Sequence, residues 1–211
     1  MKRLKYYTLI GILFVLIIGT LSHFVYEWTG NNTFLGLFCP VSESTWEHMK
    51  LVFFPMLVYG FFMYCGLIYS KHPASDTSSM EKGLTPNETA GALAAGILTG
   101  VLLVPALFYT YSGILGDNYL FLDIMVFVLS VLAAFRVVYR LLNHADAAVK
   151  HARLLEICSP FLVAAVLLLL VCFLIFTYQP PKPGIFAIPE MARFYRHVLV
   201  EHHFPHHGAV A

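Results

Sequence analysis

Only 12% of the 211 residues are charged, against 59% that are hydrophobic, and the 13 Lys and Arg nearly balance the 12 Asp and Glu. So little charge excludes an ordinary water-soluble domain, which needs a far more polar surface. The basic residues are scattered rather than clustered, which excludes a nucleic-acid footprint. Cysteine is scarce too. Cys39, Cys65, Cys158 and Cys172 have neither C-x-x-C spacing nor a close sequence partner, so a disulfide scaffold is not expected. There is no internal repeat, and an odd number of spans cannot divide into two equal inverted halves.

What the chain has instead is long apolar runs. A bilayer core needs about 20 apolar residues in helix, and five segments meet that length, at about 6–28, 47–70, 89–112, 119–142 and 157–178. The expectation is an all-α polytopic bundle of five transmembrane helices over residues 1–180, followed by a tail over 181–211. The stretch "SKHPASDTSSMEKGLTPNE" (70–88) reads as a polar loop outside the membrane, and "SGILGDN" (112–118) as a tight turn between antiparallel neighbours. The first segment has a basic start but no small-x-small cleavage site, so it reads as a retained span rather than a signal peptide.

Basic residues orient the spans. Lys2, Arg3, Lys5, Lys71, Lys82, Arg136, Arg140, Lys150 and Arg153 fall on one side, and Lys50 stands alone on the other through the end of the fifth span. That places the N-terminus inside and the C-terminus outside a cell membrane, expected to be a bacterial inner membrane. "QPPKPG" (179–184) stops the fifth helix. Beyond it, Met191, Phe194, Tyr195, Val198 and Leu199 recur at helical spacing opposite Glu190, Arg193, His197 and Glu201, the pattern of a helix lying along the outer surface.

The few charges within or beside the spans share a depth. His23 and Glu27 lie one turn apart at the outer end of the first span, with Gly19 a turn below. Glu43, Glu47 and His48 mark the start of the second, and Asp123 the start of the fourth. At about 1.5 Å per residue these groups lie roughly 5–10 Å below the interface, and acids at such depth usually face the bundle interior. His23, Glu27, His48 and Asp123 form a donor set suited to Zn²⁺ or another divalent first-row ion, with Glu43 as an accessory. Glu47 is then the candidate base and Lys50 the candidate charge stabiliser of a metal-dependent hydrolase. The same residues also suit a proton or cation pathway, or a polar tie between helices in a scaffold.

Each has a structural reading as well. Ser44-Thr45-Trp46-Glu47 has the S-x-x-E form of a capping box, and Glu47 and Lys50 can pair within one turn. Trp28 and Trp46 read as interface anchors. Tyr59, Tyr64, Tyr109 and Tyr111 suit packing or hydrogen bonds within the bundle, and Pro55 and Pro105 suit kinks. Ala92-x3-Gly96-x3-Gly100 is a close-approach stripe, for another helix of the chain or for a homo-oligomer. The tail histidines His197, His202, His203, His206 and His207 offer metal-ligand spacings that Pro205 interrupts.

The stretch from Ser22 to Tyr59 carries H-F-x-Y-E-W and then P-V-x-E-S-x-W-E-H-x-K-L. It resembles an uncharacterised family of small five-span membrane proteins of Gram-positive bacteria. The resemblance singles out His23, Glu27, Trp28, Glu43, Ser44, Trp46, Glu47, His48 and Lys50, and implies no activity. Ser44-x3-His48 and Asp123 are faintly similar to ceramidase-like membrane zinc hydrolases, although the helix count and an intramembrane H-x3-H are not matched. The orientation is checked by fusing a reporter enzyme that works only outside the cell. Fusion after residue 75 is expected to be inactive and fusion after residue 188 active.

Overall fold

The computed structural model describes residues 2–69, 84–143, 149–182 and 184–188; the expected surface helix and the tail histidines lie outside them. Five helices are long and apolar enough to cross a membrane: α1 (Lys2–Trp28), α3 (Thr45–Tyr69), α4 (Pro86–Leu115), α5 (Leu120–Leu142) and α6 (Val149–Phe176). Between the first two lies a single short turn of helix, α2 (Thr33–Gly36), and a 3₁₀ turn spans Gly184–Phe186.

Local chemistry explains the boundaries. After α1 the chain reverses through Gly30 and Asn31, at φ 68° and 60°. These are left-handed conformations that Gly and Asn tolerate best. Asn32 then caps α2, its side chain accepting from the Phe34 and Leu35 N–H groups at 2.9 and 3.3 Å. α4 starts earlier than its apolar run because Thr85 and Glu88 form a reciprocal capping box with Pro86 in the first turn. It also ends later than the turn read from 112–118. Gly113 stays helical, and Gly116, at φ 76°, ends the helix by returning its N–H to the Ser112 carbonyl at 2.8 Å.

α3 and α4 pack against each other at the centre. α1 packs on α3 and α5, α5 on α4 and α1, and α6 on α4. Large apolar side chains such as Leu9, Leu13 and Ile17 on α1, or Leu167, Leu168 and Ile175 on α6, are exposed to the surroundings. That is the surface a lipid-facing bundle presents. Between such helices there is no water to expel, so close packing must hold them together.

Two close approaches set the geometry. The Ala92–Gly96–Gly100 stripe is buried within the chain. A Cβ on Gly96 would lie 2.3 Å from Val138 and 3.0 Å from the Ala134 carbonyl, and one on Gly100 would lie 2.9 Å from the Ala134 Cβ. The stripe therefore seats α5, and the face considered for a homo-oligomer is already covered. On the other side of the bundle, α1 meets α3 at Gly19, where a Cβ would lie 2.6 Å from the Leu51 carbonyl oxygen and 2.7 Å from the Phe127 ring. Leu51 is the residue whose carbonyl loses its usual helical donor, because Pro55 has no N–H. The glycine lets the backbone of α1 close over that exposed carbonyl.

Gly96→Val should drive α4 and α5 apart and cost about 1–3 kcal/mol, the usual penalty of overpacking. Gly113→Ala, where a Cβ meets nothing within 4 Å, should leave stability unchanged or slightly raised. Thermal unfolding in detergent micelles compares the two.

Candidate metal centre

One end of the bundle gathers the C-terminal end of α1, the N-terminal ends of α3 and α5, and the C-terminal end of α4. Because α1 and α3 touch at Gly19 and Leu51, the residues one turn further along each helix are brought together. His23 and His48 meet edge to face, with ring centroids 5.2 Å apart. Glu43, on the loop before α3, completes the group: one ligand atom from each of His23, Glu43 and His48 lies within 4.8 Å of the others.

The orientation of His48 is set by its own backbone. Its Nδ1 lies 2.9 Å from the Ser44 carbonyl oxygen. A carbonyl can only accept, so Nδ1 carries the hydrogen. The neutral ring then presents a lone pair at Nε2, the atom 3.4 Å from a Glu43 carboxylate oxygen. A lone pair facing a carboxylate is repulsive unless a second proton or a cation lies between them. A backbone carbonyl that fixes the tautomer in this way is a common second partner of metal-bound histidine.

Asp123 borders the group, within electrostatic reach of both His48 and Glu43. It accepts a hydrogen bond from the Tyr111 hydroxyl of α4. That pairing gives Tyr111 a polar role beyond packing. Among the other tyrosines, Tyr59 donates to the Tyr7 carbonyl at 2.6 Å and Tyr109 to the Gly184 carbonyl at 3.2 Å.

Four residues stand apart from their expected places. Glu27 is exposed and stands outside the cluster, because one further turn of α1 carries it past the start of α3. Trp28 remains exposed and stacks on Phe24, but Trp46 is buried among Phe173, Phe176 and Phe186 rather than anchored at an interface. Glu47 and Lys50 face away from the His23–His48 contact, into the contact between α3 and the end of α6, and are 3% and 0% exposed.

There they form a closed knot. The Lys50 ammonium donates to Glu47 Oε2 at 2.8 Å, to Thr177 Oγ1 at 2.7 Å and to the Gly36 carbonyl at 3.1 Å. Those three bonds use all its hydrogens. The same Glu47 oxygen accepts the Val41 N–H at 2.9 Å. Ser44 does cap α3, its hydroxyl accepting from the Glu47 N–H at 3.3 Å. The box is only half formed, since the Glu47 carboxylate serves Val41 and Lys50. With every hydrogen committed and no exposed surface, Lys50 cannot meet a substrate at the histidine cluster, and its expected catalytic role is withdrawn with that of Glu47. Cys39, on the same loop, is buried, which pushes its thiol above the usual range despite nearby Lys50.

The opposite end holds a polar group that the sequence reading passed over. Thr85 donates to Glu156 at 3.1 Å while accepting the Glu88 N–H, and one buried oxygen of Glu88 has no hydrogen-bond partner. The signal was present as T-P-N-E at 85–88, the capping box that opens α4.

Fold and composition define a multi-pass membrane protein with five spanning helices. The chain belongs to a family of unknown function, DUF6512, which matches residues 1–194. No curated protein and no solved structure matches the chain.

Breaking the knot on one side leaves a buried charge without its partner. Lys50→Met should therefore destabilise the protein by about 3–5 kcal/mol, while Glu47→Gln/Lys50→Met should recover most of that loss. Unfolding midpoints of the two variants in one detergent decide the point.

Proposed function

We propose that the protein binds a divalent first-row cation, best matched by Zn²⁺, through His23, His48 and Glu43. The observation that supports this reading is the separation of His48 Nε2 from Glu43 Oε2. At 3.4 Å it is long for a hydrogen bond. A tetrahedral ion with bonds of about 2.0–2.2 Å holds two ligand atoms about 3.4 Å apart. Two imidazoles and a carboxylate form the three-ligand set of catalytic zinc sites, which keep a fourth position open.

On this reading the protein is a metal-dependent hydrolase acting on an ester, amide or phosphoester at the membrane surface. His23, His48 and Glu43 would hold the ion, which would supply Lewis acidity for the hydrolysis. Asp123, oriented by the Tyr111 hydroxyl, takes the base role first assigned to Glu47. Ser44 does not serve as in ceramidase-like enzymes, because its hydroxyl caps α3 and its carbonyl orients His48. A second reading, a proton or cation pathway, gains support from Glu88 and Glu156 at the far end of the bundle, where carboxylates would be needed to continue a relay.

Elemental mass spectrometry on protein purified without a histidine tag tests the proposal. The expected result is about one equivalent of zinc per chain, lost in His23→Ala/His48→Ala and retained after truncation at residue 188. A metal-free wild-type protein under metal-retaining conditions, or loss on truncation alone, would overturn it. The pathway reading then becomes testable as ion flux in liposomes.

A further inference from the structure

The Glu47–Lys50 knot does not face the histidine cluster, yet it grips the segment that carries Glu43. Val41 gives its N–H to Glu47, and Gly36 gives its carbonyl to Lys50. These two bonds fasten the chain between α2 and α3 at both ends of a short stretch, and Glu43 stands two residues beyond Val41. The third Lys50 bond, to Thr177, fastens the same node to the end of α6. Glu47 and His48 are neighbours on α3, so one turn of helix carries the anchor of the loop on one face and a histidine of the cluster on the next.

We infer that Glu47 and Lys50 are positioning residues for the metal centre, holding the Glu43 loop at ligating distance from His48. This rests on the metal-binding reading above and adds a role for two residues that the cluster never touches. The physical argument is one of reach. Glu43 is on an irregular segment and half of its side chain is exposed, so where its carboxylate lies follows from where the loop's backbone is held. His48 is fixed by its helix and by the Ser44 carbonyl. A ligand set works when all donors are held within a few tenths of an ångström of the required geometry, and here the buried knot is what holds the loop's backbone.

The same geometry explains why the pair is ionic. Two neutral side chains of that size could fill the space, and often at no loss of stability. They could not satisfy a backbone carbonyl and a backbone N–H of the α2–α3 connection and a threonine hydroxyl at the end of α6 at once. An ammonium has three diverging hydrogens and a carboxylate has several lone pairs. The knot therefore specifies where three segments meet, beyond any contribution to stability.

The test measures Zn²⁺ affinity by chelator competition in full-length wild-type protein, Glu47→Gln/Lys50→Met, Thr177→Val and Gly113→Ala. The double variant removes both buried charges together, so it keeps the fold within reach, and unfolding midpoints without metal are recorded in parallel. Expected is a fall in affinity of about 10–100-fold for the double variant, the range seen when the outer partners of metal ligands are removed. A smaller fall is expected for Thr177→Val, and none for Gly113→Ala. A role confined to stability would lower the midpoint and leave the affinity of the folded protein unchanged, and that outcome overturns the inference while the metal centre stands. Absence of Zn²⁺ binding in the wild type would overturn the metal centre itself, and the positioning role with it.

Discussion

A buried ammonium in a membrane protein has to be surrounded by acceptors, and the way Lys50 is surrounded organises one end of this molecule. Its three hydrogens reach a carboxylate on α3, a carbonyl at the end of α2 and a hydroxyl at the end of α6. No apolar contact has that directionality. Lipid tails are as apolar as leucine, so burial of leucine does little to choose between one helix arrangement and another. A polar group left unsatisfied in the same place is costly, and the cheapest arrangement is the one in which all three acceptors converge. The loop between α2 and α3, the start of α3 and the end of α6 are thereby held in one relation.

The second constraint is steric. Gly19 allows the backbone of α1 to close on the Leu51 carbonyl, which Pro55 leaves without its helical donor. A glycine and a proline 36 positions apart thus solve one problem together. The consequence appears one turn away, where His23 and His48 come into ring contact. A helix-breaking residue in a span is tolerated when a neighbour fills the gap it creates, and here the neighbour also delivers a histidine. On the opposite side of the core, Gly96 and Gly100 bring α4 against α5, which carries Tyr111 and Asp123 into hydrogen bonding.

Some of this was legible and some was not, for specific reasons. His23, His48, Glu43 and Asp123 could be grouped by depth, because a helix rises a fixed distance per residue. Depth alone could not separate them from Glu27, Glu47 and Lys50, which lie as close to the same end. Glu47 and His48 are adjacent and point about 100° apart around α3. One enters the knot with α6, the other meets α1, and nothing in a local window says which neighbour each face will find. The Ser44 cap was visible as S-x-x-E, but the pattern overstated the reciprocity, since Val41 and Lys50 compete successfully for the carboxylate. Glu88 was hidden by a polar loop that blurred the start of α4.

The sequence by itself determined that the chain is all-helical and has five spans. Long apolar runs without charge leave backbone groups no partner in lipid except their own helix. It also indicated that His23, Glu43, His48 and Asp123 lie at a similar depth near one end. The tertiary structure alone decided which of those side chains meet. That choice depends on the rotation of each helix about its axis and on contacts between residues far apart in the chain, such as Lys50 with Thr177 and Gly19 with Leu51. Those contacts are set by the packing of the whole bundle, and no single segment contains the information to specify them.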